Sequence, residues 1–152
     1  MKDLDAVVYD IQDVGARFYT YSCTLLYAVE EAGKAGKPFW ILDRPNPVTG
    51  THVDGPMMDS NLHSFVGCYN LPIRHGMTFG ELATMANEEQ HWNAKLHVVK
   101  MKNWERGDWF DSTSLTWINP SPNMRTLNAA TLYPGVAMLE ADTNLSVGRG
   151  TD

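Results

Sequence analysis

The sequence has few of the features that mark specialised classes of protein. Only two of its 152 residues are cysteines, Cys23 and Cys68, so no disulfide framework is predicted. Cys23 falls within a predicted helix, and we interpret it as a small buried core residue rather than a nucleophile. No apolar run is long enough to span a membrane, and residues 1–5 lack the apolar segment of a signal peptide. The sequence has only 12 basic residues against 18 acidic ones, and the resulting net charge of -6 argues against binding to nucleic acid.

Several catalytic and cofactor motifs are also absent. The sequence has no GxGxxG after a strand, no GxxxxGK[ST], no GxSxG and no CxxC pair. Its five histidines have neither HxxxH nor HExxH spacing, so neither a metal nor a cofactor is predicted. One alternative stays open here, a cation held by Asp10, Asp13 and Asp43 in a metal-dependent phosphoryl enzyme.

The apolar and polar patterns that the sequence does contain predict an α/β domain. Residues 5–10 and 39–43 have the apolar, β-prone character of buried strands, and residues 17–33 between them have helical spacing. Strand, helix and strand in this order form a βαβ unit. A capping box of Thr78 and Glu81 begins a second helix, residues 96–101 form a third strand, and residues 126–140 are helical in part. The long segment 43–77 is rich in proline and glycine, but its apolar residues indicate that it is ordered.

Polar side chains follow the first two strands at the point where each strand ends. Open α/β sheets bind ligands at this edge, so the two groups are predicted to form two walls of one site. The residues are Asp10, Gln12, Asp13 and Arg17 after the first strand, and Asp43, Arg44 and Asn46 after the second. The structural alternatives are that Asp13 caps a helix, that Arg17 neutralises a nearby aspartate, and that Asp43 and Arg44 form an ion pair in a rigid turn.

Three further polar clusters are candidates for ligand binding. His75 directly precedes a helix N-terminus, where it could bind an anion, shuttle protons or serve as a structural histidine. Residues 119–123 form a rigid proline-rich loop whose amides suit sugar hydroxyl or acetamido groups, or which is simply stabilised by Asx-turns. Residues 140–150 combine carboxylate, amide, hydroxyl and guanidinium groups, or form a helix end followed by a turn.

The order of the motifs resembles a known family. The sequence contains DIQDVGARFYTY, LDRPNP, SFVG, RHGMT, GELA, PSPN and SVGRGTD in this order, and it is similar to the NamZ family of exo-β-N-acetylmuramidases, formerly a family of unknown function. The resemblance implies a peptidoglycan hydrolase that releases N-acetylmuramic acid from non-reducing ends and is exported to the periplasm or the cell exterior. It also implies a Rossmann-like three-layer sandwich with a mostly parallel sheet, and an active site in a cleft towards a second domain.

The resemblance assigns roles to residues of this chain. The catalytic candidates are Asp10, Asp13 and Glu140. The candidates for saccharide binding are Gln12, Arg17, Tyr19, Tyr21, Asp43, Arg44, Asn46, His75, Asn119, Ser121, Asn123, Asn144, Ser146 and Arg149. Among these, Arg17 or Arg149 would bind the lactyl carboxylate, Asn123 the acetamido group, and Tyr19 or Tyr21 would stack on the sugar ring.

The sequence also departs from the family pattern. A PEHG-type motif that carries the family's catalytic glutamate is absent, the second domain is absent, and Ala141 stands where the family usually has glycine. We therefore expect the chain to be the central part of a longer protein, running from the Rossmann-like domain into the start of the second domain, with little activity alone. The alternative function is a non-catalytic module that binds muropeptides.

Overall fold

A computed structural model describes residues 1–148, which form a parallel sheet flanked by helices. The elements in chain order are β1 (Val7–Tyr9), α1 (Tyr21–Lys34), β2 (Pro38–Leu42), α2 (Phe79–Glu89), β3 (Lys95–Val99), a 3₁₀ turn (Phe110–Thr113), α3 (Leu127–Val136) and a second 3₁₀ turn (Ala137–Ala141). The strands lie in the order β1-β2-β3, with Val7 opposite Phe39 and Phe39 opposite Leu96. The predicted α/β class, βαβ unit and third parallel strand are thereby confirmed.

The main core lies on one face of the sheet. Leu25 and Val29 of α1 and Leu82 of α2 are fully buried against Phe39 and Ile41 of β2. On the opposite face Val8 is 61% exposed and Trp40 is 40% exposed. Within residues 1–148, helices α1 and α2 therefore cover one face of the sheet. No helix in this part of the chain has the length and apolar character needed to cross a membrane.

Helix α1 begins at Tyr21, four residues later than the predicted start at residue 17. The preceding residues are held in a turn by partners distant in sequence, since the Arg17 N–H donates to the Ile73 carbonyl at 2.9 Å. Gly15, which precedes the predicted start, belongs to the same turn and has a positive φ of 79°. The predicted first and third strands were also misplaced at their ends, because β1 spans only Val7–Tyr9 and β3 spans Lys95–Val99.

The two cysteines form a disulfide, contrary to the sequence-based expectation. Cys23 is buried in α1 as predicted, but its sulfur is bonded to Cys68, with 5.6 Å between the two Cα atoms. The bond attaches the long segment after β2 to α1. That segment is ordered, as predicted, since Met58 and Tyr69 are buried. The capping box at the start of α2 is also confirmed, with the Thr78 hydroxyl accepting from the Glu81 N–H.

Candidate functional site

The two strand ends do meet at the carboxyl edge of the sheet. The Arg44 side chain, which follows β2, forms an ion pair with Asp10, which follows β1, at 2.7 Å between Nη2 and Oδ1. Both side chains are 40–47% exposed, so the pair is open to solvent. The partner of Asp10 is thus Arg44, neither Arg17 nor a residue of the same turn.

Asp13 points inward and contacts His75. The Asp13 Oδ2 lies 3.1 Å from the His75 Nε2, and the two side chains are 5% and 0% exposed. The His75 Nδ1 accepts the Met77 N–H at 3.2 Å, whereas the His75 Nε2 and both Asp13 carboxylate oxygens are buried and make no hydrogen bond within the described residues. The Asp13 charge also helps burial to raise the pKa of Tyr9. Asp13 therefore joins the turn after β1 to the turn before α2, and it caps no helix in the described residues.

Two other candidates at this edge, Gln12 and Asn46, form hydrogen bonds with the backbone around them. The Gln12 amide donates to the carbonyls of Asp13 and Pro45, both at 2.9 Å. The Asn46 amide is buried, donates to the Met77 carbonyl at 3.0 Å and accepts the Val48 N–H. These contacts fix the turns after β1 and β2 relative to each other.

Asp43 lies at the N-terminus of α2. Its carboxylate accepts the Thr78 hydroxyl at 2.7 Å and the Gly80 N–H at 2.9 Å. Burial raises the pKa of Asp43, while the hydrogen bonds from Gly80, Thr78 and Arg44 oppose the rise. Arg44 donates only its backbone N–H to Asp43, so the alternative of an ion pair within this turn does not hold.

Arg17 is directed towards the segment after β2. Its guanidinium donates to the carbonyl of Pro56 at 3.0 Å and to that of Leu71. Burial lowers the pKa of Arg17. Arg17 lines none of the clefts described below, and its two contacts hold Pro56 and Leu71 of that segment close together.

A second group of candidates does converge on a cleft. The cleft has a volume of about 580 Å³ and lies between the turn before α1, the loop 119–123 and α3. Four candidate residues line it: Tyr19, Ser121, Asn123 and Glu140. The rest of the lining consists of apolar or aromatic side chains and one glycine, namely Met124, Ala129, Leu132, Tyr133, Val136, Ala137, Val147 and Gly148. We call this cavity the α3 cleft.

Tyrosines hold the walls of the α3 cleft together. The Tyr21 hydroxyl donates to the Pro120 carbonyl at 2.6 Å, and the Tyr9 hydroxyl donates to the Tyr21 carbonyl at 2.8 Å. The Tyr19 ring packs edge to face against the rings of Tyr21 and Tyr133, with centroids 4.9 and 5.8 Å apart. The sheet thereby positions the loop 119–123 through β1 and the start of α1.

The turn after β1 packs in a core cluster behind the α3 cleft and does not line the cleft itself. Val14 and Ala16 are fully buried in a second core cluster with Met124 and Ala130. The Trp117 indole N–H donates to the Met124 carbonyl at 3.1 Å, and this hydrogen bond fixes the segment that leads to α3. The DIQDVGAR motif therefore supports the α3 cleft indirectly, because Val14 and Ala16 share a core cluster with Met124, which lines the cleft.

The α3 cleft combines aromatic rings with neutral polar groups and one carboxylate. Burial is the main cause that raises the pKa of Tyr19 to about 12. Ser121 and Asn123 contribute a hydroxyl and an amide, and Glu140 is an exposed carboxylate. Among the described lining residues there is no lysine or arginine. Rings that cover an apolar face, with amide and hydroxyl groups beside them, suit a sugar ring bearing an acetamido group.

The remaining candidates are Asn119 and three residues near or beyond the end of the described chain, Asn144, Ser146 and Arg149. Asn119 is exposed on the loop next to the α3 cleft. Asn144 donates its backbone and amide N–H groups to Asp142, and Ser146 lies with Glu140 in a shallow depression beside the cleft. Arg149 lies outside the described residues, and its assignment to the lactyl carboxylate stays a prediction.

Sequence reasoning missed the apolar wall of the α3 cleft. Ala129, Leu132, Tyr133, Val136 and Ala137 recur at spacings of three and four, which is the pattern of one helical face. The pattern was visible in the sequence, but it does not distinguish a face that packs in a core from one that lines a cleft.

The described residues contain no group of three metal-ligating side chains close enough to hold an ion. Asp10, Asp13 and Asp43 are directed to separate partners, which are Arg44, His75 and the start of α2. This arrangement does not favour the metal-dependent alternative.

Comparison with known proteins identifies the family. A family model described as the N-terminal domain of the exo-β-N-acetylmuramidase NamZ matches residues 1–128. The chain is 50% identical over 151 residues to the peptidoglycan β-N-acetylmuramidase NamZ of Bacillus subtilis (strain 168), covering 99% of this chain and 36% of that protein. The chain thus spans about a third of this relative's length.

Two solved structures of DUF1343 family proteins from Bacteroides fragilis NCTC 9343 are also similar. One is 41% identical with a TM-score of 0.95 and matches 100% of this chain and 40% of its own. The other is 39% identical with a TM-score of 0.85 and matches 99% of this chain and 42% of its own. The chain belongs to the family of the N-terminal domain of NamZ exo-β-N-acetylmuramidases.

Proposed function

We propose that this chain is the sugar-binding part of an exo-β-N-acetylmuramidase that releases N-acetylmuramic acid from the non-reducing ends of peptidoglycan fragments. Family membership and 50% identity to the Bacillus subtilis muramidase support the reaction class. The observation that carries the assignment to a site is the α3 cleft, where Tyr19, Ser121, Asn123 and Glu140 meet from separate parts of the sequence.

Each wall of the α3 cleft has a proposed role. The rings of Tyr19 and Tyr133 contact the apolar face of the sugar, and the Asn123 amide and Ser121 hydroxyl bind its acetamido group. Glu140 is the one carboxylate among the described lining residues, and we propose it as one of the two carboxyl groups that glycoside cleavage requires. Asp13 is buried beside His75 and does not line the α3 cleft, so in this proposal it does not transfer protons to the sugar.

We further propose that the protein acts outside the cytoplasm. Its proposed substrate is the cell wall, and the Cys23–Cys68 disulfide supports this location because disulfides persist in oxidising compartments. Recovery of the disulfide-bonded form from the periplasm or culture medium would support export. Recovery of the reduced protein from the cytoplasm alone would contradict it.

A non-catalytic muropeptide-binding module is the second candidate. It is favoured by the presence of a single carboxylate in the described cleft lining, since binding requires no second one. Turnover separates the two proposals, because a binding module has none to lose.

A chimera tests turnover directly. The 152 residues replace the segment of the Bacillus subtilis relative to which they align, and release of N-acetylmuramic acid from a chromogenic β-N-acetylmuraminide is measured. We expect an active chimera, with Glu140→Gln lowering kcat by about a hundredfold or more and leaving binding of the sugar intact. Glu105→Gln, an exposed glutamate outside the cleft, is the matched control. A folded chimera without turnover, or one whose kcat is unchanged by Glu140→Gln, would contradict the proposal.

A further inference from the structure

A second groove lies apart from the α3 cleft and shares no lining residue with it. It has a volume of about 800 Å³ and runs between α1, the segment after β2 and the end of α2. Leu26, Met77 and Met85 contribute apolar surface, and Met57 and Tyr69 stand on the segment after β2. We call it the methionine groove. Methionine side chains adapt to flexible alkyl groups because they are unbranched and polarizable.

The charged side chains of the methionine groove are all acidic. Glu30 of α1 and Glu89 of α2 line it, and among the described lining residues there is neither lysine nor arginine. The lining also contains two histidines, His63 and His75. The two nitrogens of His75 already lie next to Asp13 and the Met77 N–H. The groove is therefore complementary to a cation.

The two glutamates lie at the same end of the groove. Both helices connect one parallel strand to the next, so α1 and α2 run in the same direction, and they pack against each other. Glu30 follows Leu26 by one turn, and Glu89 follows Met85 by one turn, which places each acid about 6 Å beyond an apolar residue on the same helical face. The partial negative charge of two helix C-termini adds to that of the carboxylates.

Each glutamate has a contact on one side and acceptor capacity left over. The Tyr69 hydroxyl donates to Glu89 Oε2, and Lys34 bonds both Glu30 and Glu31 at 2.8 Å from outside the groove lining. An ionised carboxylate offers about four acceptor positions, so one such contact does not saturate it.

We propose that the methionine groove binds the lysine-type side chain of a peptide ligand. The alkyl stem lies over Leu26, Met77 and Met85, and the ammonium is next to Glu30 and Glu89. A four-carbon stem ending in a compact charge matches the step from apolar residue to acid on each helix. Tyr27 and Trp92 line the same groove, and the Tyr27 ring, which stacks on Phe65 on one side, adds aromatic surface to it. The proposal is independent of the glycosidase activity, because the two cavities are separate.

Methyl-detected NMR of the chain with ¹³C-methyl methionine tests the proposal. The ligand probe is Nα-acetyl-lysine methylamide, and Nα-acetyl-norleucine methylamide is its match without the ammonium group. We expect the lysine probe to shift the methyl signals of Met57, Met77 and Met85. The methyl signal of Met124, which lines the α3 cleft, should stay in place. The norleucine probe should bind at least about fivefold more weakly.

Three glutamate variants test which carboxylates bind the ammonium group of the lysine probe. Glu30→Gln and Glu89→Gln should each weaken the lysine probe by about fivefold and leave the norleucine probe unchanged. Glu31→Gln is the matched control, since Glu31 contacts the same lysine but does not line the groove. Glutamine keeps side-chain volume and one acceptor, so these variants should fold. Equal binding of both probes, an equal effect of Glu31→Gln, or no shift of the three methyl signals at tens of millimolar probe would overturn the proposal.

Discussion

Loss of the Cys23–Cys68 disulfide should destabilise the chain strongly. The bond closes a loop with a sequence separation of 45 residues. In the chain-entropy description, a loop of this length restricts the unfolded state by about 13 cal/mol/K, which corresponds to about 4 kcal/mol at 25 °C. For a domain of this size that loss lowers Tm by about 10 °C. The effect is expected to begin in the segment after β2, which Cys68 attaches to α1.

Urea unfolding followed by circular dichroism, with and without a phosphine reductant, measures the loss. The double variant Cys23→Ala/Cys68→Ala is the control, because it should have the stability of the reduced chain and no response to reductant. A loss below about 1 kcal/mol on complete reduction, with thiols verified by mass spectrometry, would refute the loop-entropy reasoning.

Three further predictions follow from single contacts. Tyr21→Phe removes the hydrogen bond to the proline-rich loop and should cost about 1 kcal/mol in urea unfolding, with weaker sugar binding in the α3 cleft. Gly15→Ala should lower the free energy of unfolding by about 2 kcal/mol or more, because φ at Gly15 is positive and the new Cβ would lie 2.5 Å from the Asn46 amide oxygen. Gly36→Ala is the control and should cost less, because φ at Gly36 is also positive but a Cβ there would meet open space. Burial and Glu89 raise the pKa of Tyr69 to about 12, above its ordinary 10, so stability should fall as pH rises from about 10 to 12, with a shallower slope in Tyr69→Phe.

The fold was predictable where its signals are local. Apolar strands, a helical stripe and the Thr78–Glu81 capping box are properties of neighbouring residues, and the structure has each of them. The start of α1 was wrong because Arg17 pairs with Ile73, a partner more than fifty residues away in sequence. The disulfide was missed for the same reason, since two cysteines far apart in sequence carry no signal of their proximity.

The candidate site was also predictable from the sequence only in part. Composition and family resemblance drew attention to Tyr19, Ser121, Asn123 and Glu140, and the fold brings them to one cleft. The polar residues after β1 and β2 were recognised as a group, but their individual partners depend on side-chain direction. Asn46, for example, is buried and bonded to backbone, although its sequence position at the strand end is that of a ligand-binding residue.

Titration of the chain with N-acetylmuramic acid and with N-acetylglucosamine, followed by backbone amide NMR, tests the central claim most directly. The account predicts that both sugars bind and that the largest shifts fall on Tyr19, Ser121, Asn123 and Tyr133, which line the α3 cleft. N-acetylmuramic acid should bind more tightly, because the family resemblance assigns Arg149 to its lactyl carboxylate. Equal affinity for both sugars, or shifts confined to residues outside that cleft, would contradict it.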